Sequence, residues 1–508
     1  MGKNLKKVLA LFLVAFLLGS LAAGCGTAPA ASNTPSASSS ASPSGGSSGE
    51  PELKPVTLRV FFGDTVAPDV PKVAAEVSKI AQEKLNATIE FVMFGAGEFN
   101  EKIPLLIASN EKMDIGFDAG WIDYVGRSKN GAYYDISPLL DTVAPKLKET
   151  IPELLWEGAA VNGGIYGVPT YKELAEQWAL YAEKDFLESK GIDPTTIKSL
   201  SDAEVILKAC KEEGRAGFMI TKTGSNMALA SMAEYDMIGG DRAGLAAVSK
   251  TEGQTVVNYF ETENYKNFVY LMKDWYAKGY IAQDVVTREN YDEFTKNGNQ
   301  RYGLGLVSYS PLNEVGQSKN YGKELVPMPV TPITTTNGST TGSLNCIYAK
   351  SENPERALQF LELWNTEPQV KNLITFGIEG VHYKLVNGKV EQVADVSKIY
   401  LNQNWRTGNM FISYLLVGEP DDKYDQYLAF NEKAVASQTL GFQPDTAAID
   451  DKMVACKAVI TEYNDLLKLG VVNPDEILPK FIQALKDAGS DDIVNELQKQ
   501  YTEWKTKQ

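Results

Sequence analysis

The chain is predicted to be an α/β protein built as two α/β lobes, each a mainly parallel sheet with flanking helices, followed by a helical C-terminus. Three observations carry this. A strand–helix–strand–helix–strand alternation opens the body, a second alternation resumes near Ala179, and the stretch from Asp450 to Lys505 keeps a helical period with one break.

The elements follow in order. Lys3, Lys6 and Lys7 precede an apolar run from Val8 to Leu18, the layout of a signal peptide over residues 1–24. The run is too short to span a membrane, which takes about 20 apolar residues. Leu21-Ala22-Ala23-Gly24-Cys25 resembles the lipobox of bacterial lipoproteins, in which the signal is cut before the cysteine and the thiol carries diacylglycerol. Ala22 stands where that motif prefers Leu, with Leu21 one place further back, and the alternative is an ordinary secretory signal beside a chance cysteine. From Gly26 to Gly49 every residue except Asn33 is Ala, Gly, Pro, Ser or Thr, so residues 25–55 have little to bury and are expected to form a disordered tether. At about 5–6 Å × √n such a tether reaches on the order of 30 Å.

In the body, Leu58, Val60 and Phe62 share one face of a strand over 57–62, and Val70, Val73, Val77, Ile80 and Ala81 recur at helical spacing. A strand over 87–94, a helix over 99–109 and a strand over 114–117 complete a βαβαβ unit, which implies parallel pairing and ligands at the carboxyl ends of the strands. The later alternation predicts strands at 179–181, 216–220 and 302–307, with helices over 202–213 and 265–278. The terminal helices break near Gly470 to Asn473.

Composition excludes several functions. With 49 Lys and Arg against 65 Asp and Glu, the net charge is −16, and removing the signal makes the chain more acidic still. Nucleic-acid binding is not expected, because neutralising phosphates needs clustered basic residues. One histidine, His382, cannot supply the two imidazoles of an H-E-x-x-H zinc site, and no G-x-S-x-G accompanies it. Gly95-Ala96-Gly97 lacks the third glycine of a dinucleotide loop. Beyond Cys25, the thiols Cys210, Cys346 and Cys456 have apolar neighbours and no C-x-x-C spacing, so they are expected to be buried and inert.

The order of motifs resembles the extracellular solute-binding proteins of bacterial ABC importers that take sugars and oligosaccharides. The matching stretches are Ile103 to Ser109 running into Asp114 to Phe117, Tyr134 to Leu140, Ile165 to Pro169, Ala179 to Asp185 leading to Gly191-Ile192-Asp193, and Ala349 to Leu361. Gly377 to Tyr383, together with Leu440 to Pro444 and the helices beyond, is similar to the subgroup of large lipoproteins that bind aldouronates or complex oligosaccharides. The resemblance implies a two-lobed clamp like the periplasmic binding proteins. Its first lobe would hold 56–176 and 346–388, and its second 177–345 and 389–508. Ligand would bridge both lobes, and the closed form would be read by the permease subunits of the importer. It requires no covalent chemistry and points to no cofactor or metal ligand, whether a metal is bound being left open, and it implies a monomer on the outer face of the bacterial cell membrane, held there by the lipid on Cys25.

A sugar ring offers an apolar face and a rim of hydroxyls, so aromatic plates and polar side chains in a cleft are the residues to seek. Trp275, Trp364, Trp504 and Trp156 sit at helical intervals from other apolar residues and are expected in cores. Trp121, at a strand end after Gly120, Trp178, before a hinge-crossing strand, and Trp405, in the polar stretch 402–409, are candidate platforms, the alternative being ordinary packing. Asp64, Tyr171, Glu173 and Tyr309 are candidates by the same strand-end logic. Arg406 could pair with a uronate carboxylate or be a solvated surface residue. His382 either contacts sugar or is fixed by hydrogen bonds at an interface between lobes, and the second is expected. The competing readings are a secreted polysaccharide-active enzyme, since a glycosidase needs only two carboxylates about 5–10 Å apart, and a surface sensor or adhesin lipoprotein.

Overall fold

The computed structural model describes residues 53–63, 66–223, 233–239, 244–250, 252–292, 301–400 and 402–507. The expected signal, Cys25, most of the expected tether and Asp64 lie outside the described residues. Strand β1 (Val56–Gly63) leads through helix α1 (Val70–Leu85) to β2 (Ala87–Phe94), and helix α2 (Ala96–Ala108) leads to β3 (Ile115–Asp118). Pro71 opens α1, and Asn86, left-handed at φ 46°, ends it with its N–H on the Ala81 and Gln82 carbonyls. β1 pairs in parallel with β2 from Val56↔Ala87 to Gly63↔Phe94 and with β3 on its other side, as βαβ crossovers require.

Strand β4 (Val168–Pro169) leaves this region, and β5 (Gln177–Glu183) opens a second one, followed by helix α3 (Glu263–Ala277), β6 (Gly305–Tyr309) and β7 (Leu325–Pro329). The chain returns on β8 (Leu344–Ile347), which pairs antiparallel with both β3 and β4. β6 and β7 flank β5, also antiparallel. Within the two main sheets, expected to be mainly parallel, parallel pairing is therefore confined to β1, β2 and β3. The reason is connectivity: β5 leaves the passage between the two regions and β7 runs back towards it, so the pair must run in opposite directions. The strand expected at 216–220 does not form. Phe218 makes only isolated bridges, because its N–H goes to the Tyr280 carbonyl while the N–H of Met219 goes to that of Leu304.

Helices α4 (Pro354–Thr366) and α5 (Pro368–Phe376) cover the first sheet, α6 (Lys423–Glu432) follows, and α7 (Asp450–Lys468), α8 (Pro474–Asp487) and α9 (Ser490–Lys505) end the chain. The α7–α8 break falls where expected. Gly470 has φ 73°, and a Cβ there would run into the Met272 carbonyl, so only glycine fits.

Burial separates the chain into distinct cores. Leu58, Val60 and Phe62 pack with Val73, Val77, Leu358, Trp364 and Ile374 on one face of the first sheet, while Phe61, Phe99, Phe117, Tyr133 and Cys346 pack on the other. The second core gathers Leu180, Ile206, Cys210, Phe218, Trp275, Met453, Phe481 and Leu497. Residues 389–413, expected with the second lobe, are tied to the first region: Tyr400 lies in its core, and Lys371 reaches Asn404 and Thr407. Three passes of chain join the regions side by side, Glu176 bridging Thr334 and Thr334–Thr335 pairing in parallel with Val435–Ala436.

Candidate functional site

The site starts at the end of β3. Asp118 is fully buried; one of its oxygens accepts the Ala119 N–H at 2.8 Å, and the other takes the Arg127 guanidinium at 3.2 Å and the Tyr133 hydroxyl. Burial raises its carboxyl above the ordinary value, outweighing Arg127. The next turn is pinned to the returning chain by Gly120 N–H on the Thr341 carbonyl at 2.7 Å, an approach a side chain at Gly120 would block. Trp121 emerges from this turn 57% exposed, held by its indole N–H on the Gly342 carbonyl at 2.9 Å and by the tilted Phe117 ring, whose centre lies 6.2 Å from its own.

The Phe117 ring also meets Trp405 edge-on at 5.8 Å. Trp405 is half-buried in a short 3-10 turn (Asn404–Arg406), with Lys172 Nζ 5.9 Å and the Arg406 guanidinium 5.7 Å from its ring centre. Thus two of the three candidate tryptophans are brought together through a phenylalanine that was not singled out. Arg406 is neither a surface cation nor turned outward. It is buried, donates to the Gly63 carbonyl at the end of β1 and to Asn402 Oδ1 at 3.4 Å, and burial lowers its pKa to about 10.

A second aromatic series lines the passage into the second region. Tyr171 packs at 4.6 Å on Phe411, which meets Tyr424 of α6 at 5.7 Å, and the Tyr171 carbonyl accepts the Met410 N–H. On the far side of α6, Phe430 meets Tyr309 at 6.0 Å. Glu173 is half-buried and its Oε2 has no hydrogen-bond partner, as is true of Glu314 Oε2; both carboxylates push the Tyr427 hydroxyl upward after burial has done so. α6 is held to the passage by Asn431, whose Oδ1 accepts Leu174 and Ala175 N–H groups and whose amide donates to the Lys172 carbonyl. Tyr171, Glu173 and Tyr309 therefore all lie around α6.

Trp178 is not part of this array. It is a β5 residue opposite Ser308, half-buried against the second core. Asp64 lies outside the described residues, directly after Gly63. His382 is fully buried, its Nδ1 accepting the Ile378 N–H at 2.8 Å and its Nε2 facing Asp69 at 3.3 Å, so it fixes a loop. The three described cysteines are buried, and burial pushes the thiols of Cys210 to about 12 and Cys456 to about 11. Trp275, Trp364 and Trp156 are in cores as expected, but Trp504 is only half-buried. It lines a separate cavity of about 920 Å³ with Glu157, Asn162, Phe442, Gln443 and Gln500. Among the described residues no three His, Cys, Asp or Glu side chains converge to hold a metal ion, and no helix is long and apolar enough to cross a membrane.

Phe117, Phe411, Tyr424, Tyr427 and Glu314 were not legible as site residues. Tyr424 and Tyr427 do sit one helical turn apart, which is the one sequence signal available, but α6 lacks an apolar stripe to set a face apart from the rest. The assembled side chains offer aromatic faces, that of Trp121 the most exposed, beside two buried carboxylate oxygens without a hydrogen-bond partner.

The chain as a whole is similar to known proteins. A carbohydrate ABC transporter substrate-binding protein of Streptococcus pneumoniae serotype 4 is 27% identical over 469 residues, covering 89% of this chain and 91% of that protein. The polygalacturonan/rhamnogalacturonan-binding protein YtcQ of Bacillus subtilis strain 168 is 23% identical over 61% of this chain and 64% of its own length. The crystal structure of the N-glycan transport solute-binding protein NgtS of Streptococcus pneumoniae overlays with a TM-score of 0.79 at 25% identity, covering 90% of this chain and all of that one. In complex with Man5GlcNAc the same protein overlays at 0.65. Residues 438–506 match a domain of unknown function, DUF3502. Residues 67–371 match the bacterial extracellular solute-binding protein model over more than half of the chain, and the chain belongs to that family.

Proposed function

We propose that this protein captures an oligosaccharide between two lobes and delivers it to an ABC importer, held at the outer face of the cell membrane by a lipid on Cys25. The observation that carries the reading is the aromatic array Trp121, Phe117, Trp405 beside the passage cluster Tyr171, Phe411, Tyr424, in a member of the solute-binding family. The 27% identical relative is a carbohydrate substrate-binding protein of an ABC transporter, and NgtS has been crystallised with Man5GlcNAc, so a carbohydrate ligand is the chemistry those neighbours share. The drop in overlay from 0.79 to 0.65 between the two NgtS structures supports lobes that turn relative to each other. The first lobe then comprises 56–176 with 346 to about 413, a boundary later than 388 that the contacts of Tyr400 and Lys371 support. Trp121 and Trp405 are the platforms, Tyr171, Glu173 and Tyr309 contribute from the passage, and Arg406 supports the end of β1 rather than clamping a uronate. The protein acts as a monomer with the permease as its partner, binding without turnover.

The test follows melting temperature and product formation together, with the full-length protein and a panel of neutral and uronate oligosaccharides. A ligand at 100 times its Kd adds about 2.7 kcal/mol of stability and is recovered intact. New reducing ends at catalytic rates would overturn the reading in favour of an enzyme.

A further inference from the structure

Lys371 lies in α5 with its side chain completely buried, and its ammonium donates three hydrogen bonds of 2.7 Å each, to Asn404 Oδ1, the Thr407 carbonyl and Thr407 Oγ1. All three acceptors are neutral groups in the turn that carries Trp405. Burying an ammonium costs several kcal/mol unless its surroundings replace water well, and burial indeed lowers the lysine pKa far below its ordinary value. Filling this helix face could be done by Met or Leu without that cost. The polar contacts continue beyond the turn. Asn404 Nδ2 donates to Ser413 Oγ at 3.1 Å, Ser413 Oγ approaches the Tyr424 hydroxyl at 3.4 Å, and α6, which carries Tyr424, grips the passage at 172–175 through Asn431.

We propose that Lys371 is the positioning residue for ligand capture, fixing the 404–407 turn, itself braced against α6 through Asn404 and Ser413, so that the Trp405 indole is held ready. This rests on Trp405 being a sugar platform. A network of hydrogen bonds fully satisfied in a low-dielectric interior holds one geometry, which a stacking surface needs and a space-filling side chain does not provide.

The test uses the full chain and three variants, Lys371→Met, Trp405→Ala and the double substitution. Hydrogen exchange of residues 402–413, read without any sugar, should accelerate at least tenfold in Lys371→Met while α3 and α8 keep their rates. With Man5GlcNAc as probe, each single variant should weaken binding at least fivefold, and the double variant should bind no worse than Trp405→Ala, since Lys371 acts only through that ring. A Lys371→Met protein that melts lower but keeps wild-type exchange at 402–413 overturns the proposal, as does a double variant whose losses multiply. If Trp405→Ala leaves affinity unchanged while exchange at 402–413 still rises, the platform reading falls and Lys371 holds the turn for another purpose, which overturns the positioning role as stated.

Discussion

Trp121→Ala tests the platform most cleanly, because the indole is 57% exposed. Somewhat less than half of a side chain of about 250 Å² is covered, so its burial is worth at most about 2.7 kcal/mol at ~25 cal/mol/Å². The hydrogen bond to the Gly342 carbonyl adds about 0.5–1 kcal/mol. The fold therefore loses at most about 3–4 kcal/mol, and melting reports that loss separately from binding. Ligand binding loses more in proportion: by analogy with base stacking on aromatic side chains, removing a platform costs about 1–3 kcal/mol, roughly a 5- to 150-fold rise in Kd. Calorimetric titration with the oligosaccharide that most stabilises the wild type, paired with thermal melting, separates the two effects. Trp121→Phe serves as control, losing the Gly342 bond while keeping a ring. An unchanged Kd for Trp121→Ala would remove this residue from the site, and a collapse of the fold would show that the covered part of the ring does more than its area accounts for.

Two other outcomes follow from the same reasoning. Cys25→Ser should release the protein from membrane fractions into the medium, and a variant still sedimenting with membranes would refute the lipid anchor. Because burial depresses the Lys371 pKa, the folded protein holds fewer protons there than the unfolded chain at any pH between the lowered value and the ordinary 10.5. The stability of the wild type relative to Lys371→Met should therefore rise as pH is raised towards the ordinary 10.5, read by denaturant unfolding at each pH; a flat difference would mean the folded lysine keeps its ordinary proton affinity.

The periodicities that predicted β1, α1, β2, β3 and the broken terminal helix reflect local burial, and local burial is what an amphipathic pattern records. Parallel pairing of β5 was misjudged because strand direction is set by where the chain re-enters a sheet, which no local pattern encodes. Trp121 was readable as a strand-end residue since it follows β3 by three positions. Phe117 was not, because a strand aromatic looks the same whether it faces a core or bridges two platforms. Arg406 shows the limit most sharply. Its polar neighbours looked like a solvated loop, yet the loop folds under and spends its polarity on Gly63, Asn402 and Lys371.

By itself the sequence determined the class of this protein: an acidic α/β chain with one histidine and motifs in the order of a solute-binding protein. Only the tertiary structure decided which side chains meet. Trp121, Trp405 and Tyr171 lie hundreds of residues apart in two of their three pairings and converge because three passes of chain run side by side between the two cores, a juxtaposition that depends on long-range packing.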